Sequence, residues 1–450
     1  MSRRKSDGRT VLRKDPEKQN IFSAHRIAFC IFFFLLAYGL IVVRRCAPPS
    51  VSNVCYYFHT VDFSLGFCSR FLPGAIYHLF FRTPSPATAA VYETVLLVLL
   101  YAAVSLLLEK LMLAVPERYR RAALVLLAFY LTGPATFAPY AYKIGMLDVY
   151  WLFLTVPFLL MLRNRYARLA LPLLFLPAVM IHFGAMFTYV PFYALLILYE
   201  QTRARDKSDR RRLTAVFLAG CVLAAGLFLY FGVFEKSNVK VDIDTFDQMM
   251  RERGVENTDY YDYALYGTGD IDVRRINEFK DPNDPRAHVD PIILFPEHAD
   301  NAVVKLLNFF FYHLQMHYYL YTTLNTGPRT LTQYALLTVV LLPALFVLWR
   351  FFFVRSRRMK EEGQKLKRFV YVCLILFFPV ATVGSMLISS DSTRWCFHVY
   401  FLMFTTLLYL MYRERETVPE IISGILKKIP EPVIGLYFLL CFFTVVNPYV

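Results

Sequence analysis

Ionisable side chains of this sequence lie at the ends of long apolar runs, where a charge needs a partner or a cavity. Asp62 follows the first apolar run, Asp148 opens a later one, and Glu93 lies inside another. A carboxylate in such a place can act as a general base, taking the proton of an attacking hydroxyl group. Placing a charge in a bilayer costs roughly 2.5–3.5 kcal/mol. We therefore expect each of these acids to belong to a reaction centre or to have a buried partner.

Basic side chains accompany the acids in the same segments. A phosphate that leaves during group transfer must be stabilised by positive charge, and arginine supplies it with paired hydrogen bonds. The candidates for a phosphate contact are Arg70, Lys143, Arg329 and Arg394. His182 and Asp391 are supporting candidates, because each lies at the end of a predicted membrane helix.

Several of these residues also have a purely structural interpretation. Asp62, Asp148 and Asp391 precede or open predicted helices, where aspartate commonly caps the helix N-terminus. Arg394 can anchor a helix at the membrane interface. Glu93 can take part in a structural ion pair. The sequence leaves both interpretations open for each residue.

The composition predicts which elements position these residues. The chain has 450 residues, of which 57% are hydrophobic and 18% charged, and its mean hydropathy is +0.42. An ordinary globular chain has about 25% charged residues, so this one has too few to cover the surfaces of soluble domains. We therefore predict an all-α polytopic membrane protein.

A membrane-spanning helix needs about 20 apolar residues. Eleven runs meet or approach this length: 27–43, 87–113, 122–139, 148–162, 169–182, 184–200, 213–234, 331–350, 369–388, 395–412 and 433–447. As one helix, the stretch 169–200 would be about 48 Å long, and both of its flanks are basic. We expect two short helices there, meeting near His182–Gly184.

The distribution of charge predicts the orientation of the chain. About two thirds of the 49 lysines and arginines lie in six segments on one side of the predicted spans: 1–26, 114–121, 163–168, 201–212, 350–368 and 413–432. Such segments are normally cytoplasmic. At the cytoplasmic ends of the helices we expect only basic clusters of this kind. Acids outnumber bases two to one in 235–300, which we place outside. We expect a plasma-membrane protein with a cytoplasmic N-terminus, anchored by an uncleaved first span.

This topology divides the chain into four parts. They are a cytoplasmic basic tail (1–26), an N-terminal membrane module of seven spans (27–234), an external region (235–330) and a C-terminal module of four spans (331–450). The first external loop, 44–86, contains an apolar stretch from Phe63 to Phe81 that predicts a helix in the membrane interface. The large external region begins as an acidic loop and ends in an aromatic amphipathic helix, Val303 to Leu324.

The arrangement resembles the GT-C superfamily of integral-membrane glycosyltransferases, which use polyprenyl-phosphate-linked sugars. The shared features are a long external loop after the first span, with an acid and interfacial helices, and a second large external loop between the seventh and eighth spans. Asp62 stands where that family places its catalytic acid. Asp148, in the segment Lys143-Ile-Gly-Met-Leu-Asp148, is similar to its second acidic position. The resemblance implies Asp62 as general base, Asp148 as a secondary acid and Arg394 on the donor phosphate.

The expected partners are a lipid-linked sugar and the bilayer, and not nucleic acid, because the net charge of +15 lies in the short cytoplasmic segments. No cofactor is required, and a divalent metal, the sugar, the acceptor and the oligomeric state stay open. One alternative is a cell-surface polysaccharide polymerase or ligase, in which Arg329 would matter more. Another is a multi-pass transporter, which would predict internal repeats and broken helices at the bilayer midplane.

Overall fold

All regular structure in the described part of the chain is helical. The computed structural model describes residues 24–204, 206–231, 240–241, 243–255, 297, 301–305, 328–388 and 392–444. It is 80% helix and has no strand in these residues. The prediction of an all-α fold is confirmed.

The first half of the chain contributes ten α-helices. They are α1 (Arg26–Ala37), α2 (Asn53–Thr60), α3 (Phe71–Phe80), α4 (Pro86–Ala114), α5 (Arg120–Thr132), α6 (Ala138–Tyr142), α7 (Asp148–Arg163), α8 (Phe175–Ile181), α9 (Tyr189–Arg203) and α10 (Lys207–Leu229). A π-helical turn, Tyr38–Val43, extends α1, and 3₁₀ turns at Glu117–Tyr119, Ala167–Leu174 and Phe183–Met186 join later helices. These short turns keep consecutive helices adjacent.

The second half contributes six further α-helices within the described residues. They are α11 (Ile243–Glu252), α12 (Pro328–Glu361), α13 (Lys365–Ile388), α14 (Ser392–Arg413), α15 (Thr417–Leu426) and α16 (Glu431–Phe443). Only the beginning of the predicted helix Val303 to Leu324 is described, since residues 306–327 lie outside the described part of the chain.

Five helices in the described residues are long and apolar enough to cross a membrane: Arg26–Val43, Pro86–Ala114, Phe183–Arg203, Lys207–Leu229 and Arg394–Arg413. The predicted count of eleven spans is not confirmed. Several predicted runs form shorter or broken helices, and 122–139 is an example. Its helix α5 ends at Thr132 because Pro134 disfavours a helical conformation of the preceding Gly133, and α6 starts only at Ala138.

The predicted break in the stretch 169–200 is confirmed. Helix α8 ends at Ile181, His182 has an extended backbone (φ −167°, ψ 133°), and α9 begins at Tyr189. The Nδ1 atom of His182 accepts a hydrogen bond from the Gly184 amide at 3.0 Å. The side chain therefore satisfies a backbone amide of the turn that follows the break.

The predicted interfacial helix begins later than expected. Residues 61–70 form a loop, and α3 starts at Phe71 instead of Phe63. The backbone has positive φ at Gly66 (143°) and Arg70 (73°), and a right-handed helix cannot include such residues. This loop carries Asp62 and Arg70, so its irregular course places both candidate residues.

Two ends of the helix bundle carry buried charge. At one end Asp148, the first residue of α7, contacts Arg394 near the start of α14. At the other end Glu200, near the end of α9, contacts Arg413 at the end of α14. We call these the Asp148 end and the Glu200 end.

Candidate functional site

A paired hydrogen bond between Asp148 and Arg394 forms the centre of the Asp148 end. Arg394 donates from Nε to Oδ2 and from Nη2 to Oδ1, both at 2.8 Å. Asp148 is fully buried, and Arg394 is 5% exposed. The N-cap residue of α7 is Leu147, so Asp148 does not cap its helix. Arg394 is likewise buried and does not anchor the helix at a membrane surface.

His398 belongs to the same cluster and escaped the sequence analysis. Its Nε2 atom lies 3.0 Å from Oδ1 of Asp148, and its Nδ1 atom lies 2.9 Å from the hydroxyl oxygen of Tyr189. His398 follows Arg394 by four residues on α14, so both side chains lie on the same face of this helix. This four-residue spacing is the feature of the sequence that could have identified His398.

A second cluster joins the loop 61–70 to the helices. The Nη2 atom of Arg70 lies 2.9 Å from Nε2 of His182, and the Arg70 amide donates to the carbonyl of Met180 at 2.8 Å. The His182 ring packs 5.1 Å from Trp395 and 6.0 Å from Trp151, between ring centres. Arg70 and His182, both predicted from sequence, are thus brought together beside the Asp148 cluster.

His182 cannot satisfy both of its neighbours at once. A neutral imidazole has one donor nitrogen and one acceptor nitrogen. The Gly184 amide donates to Nδ1, while the Arg70 guanidinium, which can only donate, lies at Nε2. One of the two contacts must therefore set two hydrogens against each other. An anionic oxygen that displaced Arg70 from Nε2 and accepted a hydrogen bond from each group would remove this conflict.

Glu93 has the buried partner that its position within a span predicts. Its Oε1 atom lies 2.5 Å from Nε2 of His59 and accepts a hydrogen bond from the Tyr150 hydroxyl at 3.1 Å. The other ring nitrogen of His59 lies 2.7 Å from the Cys55 carbonyl oxygen. His59 lies on α2 and Glu93 on α4, so this contact joins the two helices. His59 was not predicted, and nothing in its sequence context marks it.

Glu93 and Lys143 line one small pocket of about 190 Å³. The pocket lies between α4 and the segment that leads from α6 into α7, and Tyr140 and Val149 form part of its wall. A carboxylate and an ammonium group in one pocket can bind a polar group such as a sugar hydroxyl. Within the described residues, no group of three or more histidines, cysteines and acids is arranged to hold a metal ion.

Asp62 lies on the same loop as Arg70 but has partners of its own. His78 Nδ1 lies 2.7 Å from Oδ2, and the Ser64 amide donates to Oδ1 at 2.7 Å. The Arg253 guanidinium lies 3.7 Å away. Burial raises the pKa of Asp62, but the bonds from His78 and Ser64 and the charge of Arg253 outweigh it and hold the pKa well below its usual value. The carboxylate is ionised at neutral pH.

The Asp62 side chain keeps 17% of its surface exposed, whereas that of Asp148 is fully buried. Its contacts do not include Asp148, so the two predicted acids belong to neighbouring clusters and not to one pair. Asp62 bonds to the Ser64 amide within the loop and caps no helix. His78, its imidazole partner, was missed by the sequence analysis.

Two predicted residues have no described side-chain geometry. Asp391 lies outside the described residues. The backbone of Arg329 belongs to the first turn of α12, but its side chain is not described.

The Glu200 end is more than the basic cluster that we expected from sequence. Glu200 accepts two hydrogen bonds from Arg413, at 2.7 and 2.5 Å. Glu414 contacts both Arg203 and Arg355. Both glutamates are buried. The prediction of a purely basic cluster was wrong because each glutamate is a single acid among many bases in the sequence. Only the fold brings each glutamate to its arginines.

No protein-family model, curated protein or solved structure matches the chain.

Proposed function

We propose that the protein is a membrane glycosyltransferase that moves a sugar from a polyprenyl-phosphate donor to an acceptor hydroxyl group at the Asp148 end. The observation that carries this proposal is the loop 61–70. It presents an ionised, partly exposed carboxylate, Asp62, a few residues from Arg70, an arginine whose guanidinium faces the imidazole of His182.

Asp62 is the general base of the proposed reaction. The acceptor hydroxyl gives its proton to Asp62 while its oxygen bonds to the anomeric carbon of the sugar. The bond between that carbon and the phosphate oxygen breaks, and the polyprenyl phosphate leaves with the electron pair. A carboxylate with a low pKa is a weak base, so proton transfer must accompany the attack, when the hydroxyl becomes acidic. His78 and the Ser64 amide hold the carboxylate in place.

Arg70 is the first candidate for the donor phosphate. A phosphate oxygen that displaced Arg70 from Nε2 of His182 would accept hydrogen bonds from both groups and resolve their conflict. Arg394 already donates hydrogen bonds from Nε and Nη2 to Asp148. In this scheme the Asp148–Arg394 pair therefore orients neighbouring groups. Lys143 and Glu93 line the pocket that receives a sugar hydroxyl.

Trp151 and Trp395 are buried and pack 5.5 Å apart between ring centres, next to His182. They form the packed support of this end and present no free face to a sugar. In this proposal the chain crosses the plasma membrane eleven times, with its N-terminus in the cytosol and the Asp148 end outside.

Transfer by purified protein tests the proposal. The full chain in detergent is given polyprenyl phosphate carrying ¹⁴C-mannose or ¹⁴C-glucose, and loss of label from the lipid is measured with and without membrane extract as the source of acceptor. We expect release or transfer from one donor, and a fall of at least about 100-fold in Asp62→Asn. Glu117→Gln, an exposed acid far from this loop in sequence, is the control and should be unchanged.

Two results would count against this function. Full activity in a folded Asp62→Asn protein would remove Asp62 as the base. Absence of any turnover of both donors by wild-type protein, in the presence of extract, would remove the glycosyltransferase assignment for these sugars.

A further inference from the structure

A long apolar groove lies away from the Asp148 cluster, on the half of the bundle that leads to the Glu200 end. It has an empty volume of about 720 Å³ and is lined by residues of α4, α5, α7 and α14. On α7 its wall extends from Leu152 to Arg163. At 1.5 Å per residue this is about 16 Å, roughly half of the 30 Å hydrocarbon core of a bilayer. The groove therefore has the length of one lipid leaflet.

Two cations line the groove where it approaches the Glu200 end, Lys110 and Arg163. Lys110 is the last basic residue of α4, and Arg163 is the last residue of α7. Both helices run toward this end. The Arg163 guanidinium lies 4.4 Å from the centre of the Tyr412 ring, which also lines the groove. The groove thus combines an apolar interior with a positively charged end.

Lys110 and Arg163 differ from the partly buried arginines of the Glu200 end. Arg168, Arg203, Arg355 and Arg413 each form an ion pair with a glutamate or aspartate. Lys110 and Arg163 form no ion pair within the part of the chain that the structure describes. The partly buried arginines are thus paired with acids, whereas the positive charge at the groove is not.

We propose that the groove binds one anionic phospholipid, with an acyl chain along α7 and the phosphate between Lys110 and Arg163. The length of one leaflet, the apolar walls and the positive charge at one end together match a lipid with a phosphate headgroup. A soluble phosphate ester would not use the apolar walls, and a zwitterionic lipid would not use both cations as fully. This inference is independent of the reaction at the Asp148 end.

Native mass spectrometry of the full chain, released from detergent, tests the site. The probes are phosphatidylglycerol and phosphatidylcholine with identical acyl chains. We expect one phosphatidylglycerol to stay bound per chain at concentrations where phosphatidylcholine does not. The double variant Lys110→Gln, Arg163→Gln should weaken this binding about tenfold or more. The matched control Lys207→Gln, Arg211→Gln removes two exposed cations of α10 near the same end and should keep it.

A second variant pair tests the apolar wall. Val156→Phe fills the groove and should abolish retention of the lipid, whereas Val222→Phe adds the same bulk to an exposed position on α10 and should not. Because Lys110 and Arg163 are exposed, their glutamine variants should keep the size-exclusion profile of the wild type.

Equal retention of the two lipids, or unchanged binding in the Lys110/Arg163 and Val156 variants, would overturn the proposal. Displacement of phosphatidylglycerol by an equal concentration of polyprenyl phosphate would show that the occupant is the isoprenoid lipid and not a phospholipid.

Discussion

Asp148 and Arg394 are 246 residues apart in the chain, and their side chains form two hydrogen bonds of 2.8 Å in the interior of the protein. Each charge is tolerated there because the other compensates it. The pair joins the start of α7 to the start of α14 and so connects helices from the two halves of the chain. His398 adds a third group to the same contact.

Removing one member of this pair should cost more than removing both. Asp148→Asn or Arg394→Met leaves an uncompensated buried group, and we expect each to lower the free energy of unfolding by about 3–5 kcal/mol. The double variant Asp148→Leu, Arg394→Met should be less destabilised than either. Thermal unfolding in detergent measures the three variants. Additive losses in the double variant would contradict this interpretation of the pair.

Gly184 is a position where a methyl group has no room. A Cβ atom there would overlap the indole ring of Trp395, and overpacking of a buried site costs typically about 1–3 kcal/mol. We expect Gly184→Ala to lower the thermal midpoint, and Trp395→Phe to restore part of the loss in the double variant. Gly424→Ala is the control, since a Cβ at Gly424 meets no atom within 4 Å. Equal midpoints for Gly184→Ala and wild type would show that the indole moves aside freely.

Acid should remove the stabilisation that Asp62 provides. Burial raises the pKa of Asp62, but the hydrogen bonds from His78 and Ser64 and the charge of Arg253 lower it further, so the folded-state pKa lies below the unfolded value of about 3.9. The contribution of Asp62 is therefore complete above that unfolded value and is lost as the pH falls toward the folded value.

We expect Asp62→Asn to be less stable than wild type by an equal amount at pH 8 and pH 5, and the difference to shrink below about pH 4. His78→Gln should destabilise the protein by about 1.5–3 kcal/mol at pH 7, because it removes a hydrogen bond to a charged group. Unfolding followed across this pH range checks both. A difference between wild type and Asp62→Asn that first appears below pH 4 would contradict a lowered pKa of Asp62 in the folded protein.

Glu414 should be among the most sensitive acids at the Glu200 end. Glu414→Gln leaves Arg203 and Arg355 without their shared carboxylate, and we expect a loss of about 3–5 kcal/mol. Glu416→Gln, two residues further on, removes an exposed pair with Arg118 and should change stability by less than about 1 kcal/mol. Chemical or thermal unfolding of the two variants side by side measures the contrast, and similar losses in both would show that burial does not strengthen the Glu414 contacts.

The sequence by itself determined the class of fold and several local features. Its scarcity of charge and its long apolar runs predicted helices, and the basic flanks of 169–200 predicted the break at His182. These features depend on hydropathy and chain geometry over neighbouring residues, so they can be derived without knowing what lies opposite each helix. The start of α3 could not be derived this way, since the positive φ values of Gly66 and Arg70 arise from the packing of the loop.

Tertiary structure decided which charges meet. The sequence identified Glu93, Arg70 and His182 as isolated residues, whereas the fold gave Glu93 its partner His59 and set Arg70 against His182. It also separated Asp62 from Asp148, buried Glu414 among arginines, and left Lys110 and Arg163 beside an apolar groove. The physical reason is that hydropathy is a property of each segment, whereas an ion pair depends on the distance between two segments, which only the packing of the helices sets.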